Sequence, residues 1–346
     1  PYTLIAATGG GTNNGMTVSD TLALDYSVTG GAAGITLSYV PRFDQPYLWP
    51  NGQALGRHMN SALLTGGSDG IGRLMALLGN LRAGEEARFT QLMLQLTPEA
   101  WLTPLKLHYQ SADNFRRQLM GRNAVDSEAG TLWANGEYDS FAQYSRADQF
   151  AANADQFVLS GGGTARLGSQ WQVTAGAAYR RISRLAVREG ALADGNGDAV
   201  QVGAVLGWSP DEAFRMSVGV SGGWQWLRAR RNTAIFAPIS AYVEPQARFV
   251  QIAASASYDW QWKGGYLRPS VDVAGTALRQ DDYAEQGLGG IGSQAIRSTQ
   301  WLWSVNPLLS GGITLDEGPG TKIELALRGG GVFQLKDTIS MPFRLI

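Results

Sequence analysis

The chain has 346 residues, a formal net charge of −1 and 16% charged residues, whereas about a quarter of the residues in ordinary soluble domains are charged. Because no long run of positive charge occurs, the sequence argues against nucleic acid as the main partner, since binding to phosphates needs a clustered basic surface. The absence of cysteine excludes a scaffold held by disulfides and a metal site with cysteine ligands.

The chain begins at Pro1 without a methionine or a basic leader region, so we expect the sequence to be a piece of a longer protein. Two uncharged stretches, residues 1–19 and 298–315, approach the length of a membrane-spanning helix. Glycine, asparagine and proline interrupt both stretches, so neither is predicted to form such a helix. If the chain crosses a membrane, closed strands must form the crossing.

Residues 1–45 are predicted to form short strands with turns between them, at residues 2–5, 21–26 and 35–39. Their apolar area is too small for an independent core. We therefore expect this segment to be the last part of a larger β structure that lies upstream.

Residues 46–122 change to helical spacing after a linker-like stretch over 46–56. Ile71, Leu74, Met75 and Leu78 recur at i, i+3, i+4 and i+7, and the same spacing returns from Phe89 to Leu96. A last helix is predicted over about 104–120, with Pro104 in its first turn. Its length, about 25 Å, is close to the height of the apolar band of an outer-membrane barrel.

From Thr131 onward the pattern has a period of two, with one apolar face and one small or polar face. Tryptophan and tyrosine stand mainly near the ends of the predicted strands, where a membrane barrel carries its aromatic girdles. The content of 45 glycines and 11 tryptophans also suits such a barrel, although some soluble all-β proteins share it. The predicted strands are 131–143, 154–166, 170–180, 199–208, 214–227, 247–262, 266–278, 298–315 and 321–334.

The connections between these nine strands alternate between long and short. Short periplasmic turns and long extracellular loops are what an outer-membrane barrel requires. The long connections are predicted at 144–153, 181–198, 228–246 and 279–297, and the short ones at 167–169, 210–213, 263–265 and 316–320. The first strand then runs outward, so the helix before it ends on the periplasmic side and everything upstream of that helix lies outside the cell.

The polar face predicts side chains that point into the lumen of the barrel. Its charged members are Arg180, Arg215, Arg268, Asp272, Glu324 and Arg328. These residues either hydrate the pore or hold the last helix through its own charged residues, Asp113, Arg116 and Arg117. No catalytic, cofactor or metal site is predicted, because neither His58 nor His108 has a histidine, cysteine or carboxylate at ligand spacing.

Several phrases of the chain resemble those of one family, the C-terminal translocator domain of monomeric type V autotransporters. Gln95–Trp101 is similar to the phrase that precedes the family's pore helix. Leu267–Asp272 followed by Tyr283–Gly290 is similar to a family strand and its "Glu-x-Gly-x-Gly" loop, here Glu285, Gly287 and Gly289. The strands within residues 1–45 resemble the closing coil of a β-helical passenger.

The resemblance implies a transmembrane antiparallel barrel of twelve strands with a lumenal helix, of which about nine strands are present in residues 131–346. It also implies the barrel-assembly machinery and periplasmic chaperones as partners, besides the outer-membrane lipid and the passenger itself. Family barrels end in an aromatic residue, whereas this chain ends at Phe343-Arg-Leu-Ile346, so we expect an incomplete barrel. Some members cut themselves at an asparagine of the pore helix, for which Asn114 and Asn123 are the candidates.

The predicted function is therefore an outer-membrane translocator that exports and anchors its own N-terminal passenger, without catalysis in this segment. Two alternatives stay open. The chain could be a surface adhesin in which residues 1–45 belong to the binding region, or a soluble all-β protein.

Overall fold

The computed structural model describes residues 2–6, 8–66, 69–123, 130–144, 151–188, 192–233, 235, 239–288, 292–318, 321–335 and 339–345. The elements before residue 130 are β1 (Tyr2–Ala6), β2 (Leu24–Gly31), β3 (Gly34–Pro41), α1 (Pro50–Leu64), α2 (Asp69–Leu78), α3 (Glu86–Leu96), a 3-10 turn (Pro98–Trp101) and α4 (Leu102–Asn123). Strands β1 and β3 and the helices α2, α3 and α4 lie close to where the sequence predicts them, whereas β2 (Leu24–Gly31) lies later in the chain than the predicted strand 21–26. No helix in the described part of the chain is both long and apolar enough to cross a membrane.

Helix α1 overturns the prediction of a linker over residues 46–56. Its first residue, Pro50, is tolerated because the amide of a first-turn residue needs no partner within the helix. Gly52 and Gly56 are buried on this helix, and a side-chain carbon on Gly56 would lie 2.5 Å from the carbonyl oxygen of Phe43. These glycines therefore permit close packing of a helix, although as sequence they resemble a flexible linker.

Strands β1–β3 and helices α1–α3 are here called the cap. Its hydrophobic core is formed by residues of β2, of the helices and of the loops between them, with Tyr39 of β3 packed against it, whereas residues 3–6 of β1 are exposed. The strands form an antiparallel sheet in the order β1-β3-β2. The core of the cap also includes Ile235, Ala241 and Leu288, which belong to the part of the chain that forms the large sheet. The apolar area of the first 45 residues is small, and the helices and the large sheet supply the rest of the core. Since coils of a β-helix pair in parallel, the origin of residues 1–45 as the end of such a passenger stays a prediction.

The rest of the chain forms a large antiparallel sheet. Its strands and their short companions are β4 (Thr131–Gln143), β5 (Ala151–Leu167), β6 (Trp171–Arg188), β7 (Leu192–Trp208), β8 (Phe214–Thr233), β9 (Ile239–Val243), β10 (Gln246–Tyr258), β11 (Trp260–Trp262), β12 (Gly265–Gln280), β13 (Tyr283–Ala284), β14 (Ser293–Ala295), β15 (Ser298–Gly318), β16 (Thr321–Gly330), β17 (Phe333–Gln334) and β18 (Phe343–Leu345). The order of the long strands is β16-β15-β12-β10-β8-β7-β6-β5-β4. Nine long strands with sequential neighbours agree with the prediction.

Two of the predicted long loops are wrong, because the strands continue through them. β6 pairs with β7 as far as Val187 and Ala193, and β8 pairs with β9 from Ala229 to Thr233. The first segment, residues 181–198, is polar and contains several glycines, and the second, residues 228–246, contains polar residues and two prolines, which is why they resemble loops. A strand that extends beyond a membrane is solvated, so it needs no apolar face toward lipid. The opposite end of the sheet keeps its short turns, such as the two residues between Trp262 and Gly265.

The outward face of the sheet is apolar and exposed. The side chains of Val202, Val218, Val250 and Ile252 are 45–57% exposed. Residues next to them in the chain, such as Gln201 and Gln251, point to the other face and are buried. The valines are therefore not packed into a protein interior. The soluble all-β alternative requires the opposite arrangement.

Aromatic side chains stand at both ends of this apolar band. At the end with short turns, the ring of Trp208 lies 6.2 Å from Trp171 and 6.0 Å from Phe214. Trp224, ten residues after Phe214 on β8, belongs to the group at the other end. At about 3.3 Å per residue and a tilt of about 40°, this separation gives a height of about 25 Å. The band has the thickness of an outer-membrane barrel's apolar belt.

Within the described residues, the sheet has two edges. β4 pairs with β5, and β16 pairs with β15, but β4 and β16 do not pair with each other. The strands β13, β14 and β18 form a separate small sheet that packs with Met341 and Trp101 at the far end of the large one. We call this end, which also contacts the cap, the outer rim.

Candidate functional site: the helix inside the curved sheet

Helix α4 lies on the concave face of the large sheet, which curves around it. It contacts β5, β6, β7, β8, β10 and β12. Its 22 residues give a length of about 33 Å at 1.5 Å per residue, enough to pass through the apolar band. This confirms the prediction of a helix inside the lumen, with bounds a few residues wider than the predicted 104–120.

Buried residues occupy most of the first two turns of α4 and one face of the turns that follow, whereas Gln110, Asn114, Arg117 and Gly121 form an exposed face. The buried residues are Thr103, Pro104, Leu105, Leu107, His108, Ala112, Phe115, Arg116, Leu119, Met120 and Asn123. Asn123, the last residue, accepts a hydrogen bond from the hydroxyl of Thr174 at 3.1 Å, near the short turns. Leu105, in the first turn, packs on Phe249 and Leu278 near the outer rim. The helix therefore runs from the outer rim to the short-turn end, as the loop pattern predicts.

The first turns of α4 are enclosed by an apolar collar, which we define as Ile182, Leu227, Phe249, Leu278 and Leu302 with Leu105 and Leu107 of the helix. All seven side chains are buried, and each strand residue comes from a different strand. Leu105 packs with Phe249, Leu278 and Leu302, and Leu107 packs with Ile182 and Leu227.

Histidine 108 packs its ring edge-on against Phe249, with 5.2 Å between the ring centroids. It is fully buried, whereas His58 is exposed on α1. No group of three histidine, cysteine, aspartate or glutamate side chains in the described part of the chain could hold a metal ion.

Arg180 is the strand residue that reaches furthest into α4. Its side chain is buried, and its Nη1 atom donates to the carbonyl oxygen of Leu107 at 3.1 Å. The guanidinium also donates to Gln156 at 3.3 Å and to Gln225 at 2.6 Å. Gln225 in turn donates to the carbonyl oxygen of Pro104 at 3.0 Å. Two wall side chains thus bind the helix at its main chain.

Two further hydrogen bonds join the wall to polar side chains of the helix. Gln201 donates to Ser111 at 2.7 Å, and Gln118 donates to Ser160 at 2.8 Å. The inward-facing glutamines stand on the predicted polar face, but the sequence analysis assigned them no role. The feature of the sequence that could have indicated this role is a long amide side chain among small residues, at positions predicted to face the lumen.

The charged residues of the helix interact first with each other. Asp113 pairs with Arg116 and with Arg117, each at 2.7 Å, the i+3 and i+4 spacing at which helix side chains are neighbours. The prediction that strand charges hold the helix through these three residues did not foresee this pairing. Arg180 instead binds the main chain of α4, at the carbonyl oxygen of Leu107.

The other lumen-facing candidates lie apart from the Arg180 contacts. Arg215 and Asp272 are half-buried on the inward face, each with an interaction partner. Arg268 pairs with Asp259, near the short turns. The side chains of Glu324 and Arg328 lie outside the described residues.

Three inward glycines make room for the end of α4. A side-chain carbon on Gly203 would lie 2.8 Å from Leu119, and one on Gly176 would lie 3.0 Å from the same leucine. On Gly207 it would lie 2.1 Å from the amide nitrogen of Asn123. Carbon atoms in ordinary contact are about 3.5–4.0 Å apart. The wall is therefore fitted closely to the helix at these positions.

Asn114, one of the two candidates for cleavage, faces a polar space between the helix and the lumen wall. A cavity of about 350 Å³ separates this face of α4 from β4 and β5, and Asn114 and Asp139 line it. Asn123 is buried and hydrogen-bonded at the helix end. Cleavage at either residue stays a prediction.

Glu285, the acidic residue of the predicted loop motif, lies at the outer rim and is buried. Its carboxylate accepts a hydrogen bond from the indole of Trp101 at 2.7 Å and pairs with Arg231 at 2.6 Å. Gly287 has a φ of +98°, and a side-chain carbon there would lie 2.6 Å from the carbonyl oxygen of Ser240, so glycine is required. Gly289 lies outside the described residues. The partners Trp101 and Arg231 were not predicted, because they are remote in sequence.

Comparison with known proteins identifies this arrangement. A family model described as the autotransporter beta-domain matches residues 132–343. Among solved structures, the translocator domain of the autotransporter NalP from Neisseria meningitidis matches with a TM-score of 0.56 and 16% sequence identity, over 68% of this chain and 79% of that chain. No curated protein sequence matches the chain. The structural match concerns the fold alone, and the family model supports the resemblance seen in the sequence.

Proposed function

The chain belongs to the autotransporter beta-domain family and is an outer-membrane translocator protein, and from this premise we propose that it exports its own N-terminal passenger and anchors it at the cell surface. The observation that carries the proposal is the path of α4. The helix enters the lumen at the outer rim, passes through it and ends near the short turns. A chain threaded in this direction has its upstream part outside the cell.

The contacts of the wall suit a polypeptide that once moved through the lumen. Arg180 and Gln225 bind α4 at the carbonyl oxygens of Leu107 and Pro104. A carbonyl oxygen is present in every residue, so such donors can bind any segment that passes. The inward glycines Gly176, Gly203 and Gly207 leave space for the helix.

The partners follow from the same proposal. The exposed apolar band contacts outer-membrane lipid, and the passenger is the cargo. We expect assembly by the barrel-assembly machinery with periplasmic chaperones, as in other members of the family. Neither a nucleic acid nor a cofactor has a role in this function, and we expect no catalysis by this segment.

The test is the location of the N-terminal side of the chain on intact cells. An epitope placed before Pro1 in the full-length parent should be accessible to antibody and to added protease without cell lysis. The matched control carries the same epitope and Val218→Arg, which we expect to block insertion of the barrel. An epitope that stays inaccessible while the barrel is inserted in the outer membrane would overturn the proposal.

A further inference from the structure

We propose that Arg231 and Glu285 form a docking site at the outer rim that binds the linker Gln95–Trp101 and thereby fixes α4 at its final position in the lumen. The inference rests on the proposed function, since it concerns the end of export. The ligand is the carbonyl end of a helix together with an indole ring, both supplied by the chain itself.

Arg231 binds the end of helix α3. Its guanidinium is 1% exposed, and Nη1 donates to the carbonyl oxygens of Gln95 at 2.8 Å and Thr97 at 3.1 Å. The last carbonyl groups of a helix have no partner within it and carry partial negative charge. A buried cation with these two acceptors therefore recognises a helix terminus.

Glu285 binds the turn that follows this helix. One carboxylate oxygen accepts the indole N–H of Trp101 at 2.7 Å. The other accepts the guanidinium of Arg231 at 2.6 Å and the main-chain N–H of Ser293 at 2.7 Å. The carboxylate is fully buried, so each donor replaces a water molecule that burial removed. Trp101 is also buried, among apolar residues of the rim such as Val243.

The barrel part of the site is fixed without help from the linker. Gln286 and Tyr242 exchange two main-chain hydrogen bonds of 3.0 Å, which hold the Glu285 loop against β9. The Arg231–Glu285 pair and its Ser293 contact all lie within the barrel. Without the linker, Arg231 loses two acceptors and Glu285 loses one donor. The two acceptors and the one donor that the linker supplies to these charged groups therefore favour the bound linker.

The position of the site explains why it acts last. It lies at the outer rim, past the collar, and the linker reaches it only after the segment upstream has left the lumen. Binding of Gln95–Trp101 then fixes the start of α4, which follows Trp101 directly. Glu285, the acidic residue of the loop motif, thus helps to stop the chain at its final position in the lumen.

The experiment measures hydrogen exchange of the full-length protein in detergent micelles. Arg231→Gln should raise the exchange rates of amides in residues 89–101 at least tenfold, the factor expected for losing a hydrogen bond to a charged group. The control is Arg230→Gln. Arg230 is the next residue and pairs with Asp194 on the exposed surface, so the same substitution there should leave those rates unchanged.

A second variant guards against a general loss of folding. Trp101→Phe removes the indole donor together with part of the buried ring and leaves Arg231, Glu285 and Ser293 intact. It should raise exchange in residues 89–101 while amides of residues 283–288 keep their wild-type rates. Because both variants act through Glu285, their effects should be less than multiplicative when combined.

Equal exchange in the Arg231→Gln and Arg230→Gln proteins would overturn the inference, as would a rise in residues 283–288 as large as that in the linker for Trp101→Phe. Surface exposure of the passenger in the same variants is measured separately. Failed export of the wild-type chain would contradict the proposed function, whereas normal export with an unchanged linker contradicts the docking site alone.

Discussion

Replacing Gly203 with valine tests how closely the lumen wall fits α4. Gly203 faces inward on β7, and the first carbon of any side chain there would lie 2.8 Å from the Cδ1 atom of Leu119 and 2.9 Å from Cβ of Ser221. Ordinary carbon contacts are about 3.5–4.0 Å, so the helix or the wall must move by about 1 Å before the two further methyl groups of valine are placed.

The magnitude follows from the effect of overpacking. Extra carbon atoms in a packed core destabilise it by about 1–3 kcal/mol. At about 1.36 kcal/mol per factor of ten, docking of α4 in the lumen should weaken by roughly 5- to 150-fold. The barrel itself should persist, because the main-chain hydrogen bonds of β7 with β6 and β8 do not depend on the side chain.

Cysteine labelling provides the assay, since the natural chain has no cysteine. Ser160→Cys places one thiol on the lumen wall where Ser160 contacts Gln118. In this background, Gly203→Val should increase the rate at which a water-soluble maleimide modifies the thiol, because the helix covers it for less of the time.

Gly222→Val is the matched control. Gly222 lies on β8 opposite Val202 on the outward face, and a side-chain carbon there would meet only the carbonyl oxygen of Phe249, at 3.3 Å. Labelling should stay at the background rate. If Gly203→Val and Gly222→Val label at the same rate, the close fit between wall and helix is refuted.

Three further predictions concern the band, the wall and the cap. Val218→Arg places a cation in the lipid-facing band at about 2–4 kcal/mol, so heat-modifiable barrel should disappear from outer-membrane fractions, whereas Arg230→Lys outside the band should assemble normally. Arg180→Met leaves the amide oxygens of Gln156 and Gln225 without their donor, so the midpoint temperature of unfolding of the purified protein should fall. Arg180→Lys should not restore this temperature, because an ammonium group lacks the planar guanidinium that reaches separated acceptors. Partial burial, with a smaller effect of Glu86, raises the pKa of Tyr47 to about 12. The neutral phenol therefore stabilises the cap below about pH 10, and this contribution is lost as the pH rises toward 12. Tyr47→Phe should lessen the dependence of cap unfolding on pH in that range, as measured by tryptophan fluorescence.

The strands of the sheet could be predicted because lipid imposes a strict rule on them. Every second residue, such as Val202 or Val218, must be apolar, and a pattern of period two survives over the whole band. Helix α4 could be predicted from its length and first-turn proline. The rule ends at the edge of the band, which is why the extensions of β6 to β9 were taken for loops.

The contacts that hold the helix could not be predicted, because they join residues remote in sequence. Arg180 was recognised as a lumen residue, but the carbonyl group that it binds belongs to every residue and leaves no trace in the sequence. The same holds for Arg231, which binds two carbonyl groups and a carboxylate more than fifty residues away. Its neighbour Arg230 has the same side chain and lies on the surface. The two arginines therefore differ only in the face of the strand to which they point.

On five of the strands, the apolar residues of the collar interrupt the polar lining of the lumen beside the start of α4. Leu105 and Leu107 complete the contact. The polar contacts of Arg180 and Gln225 lie next to this layer and bind the helix main chain, which keeps Leu105 and Leu107 in register with the collar. The position of α4 and the apolar contact around its first turns therefore depend on the same few residues at the start of the helix.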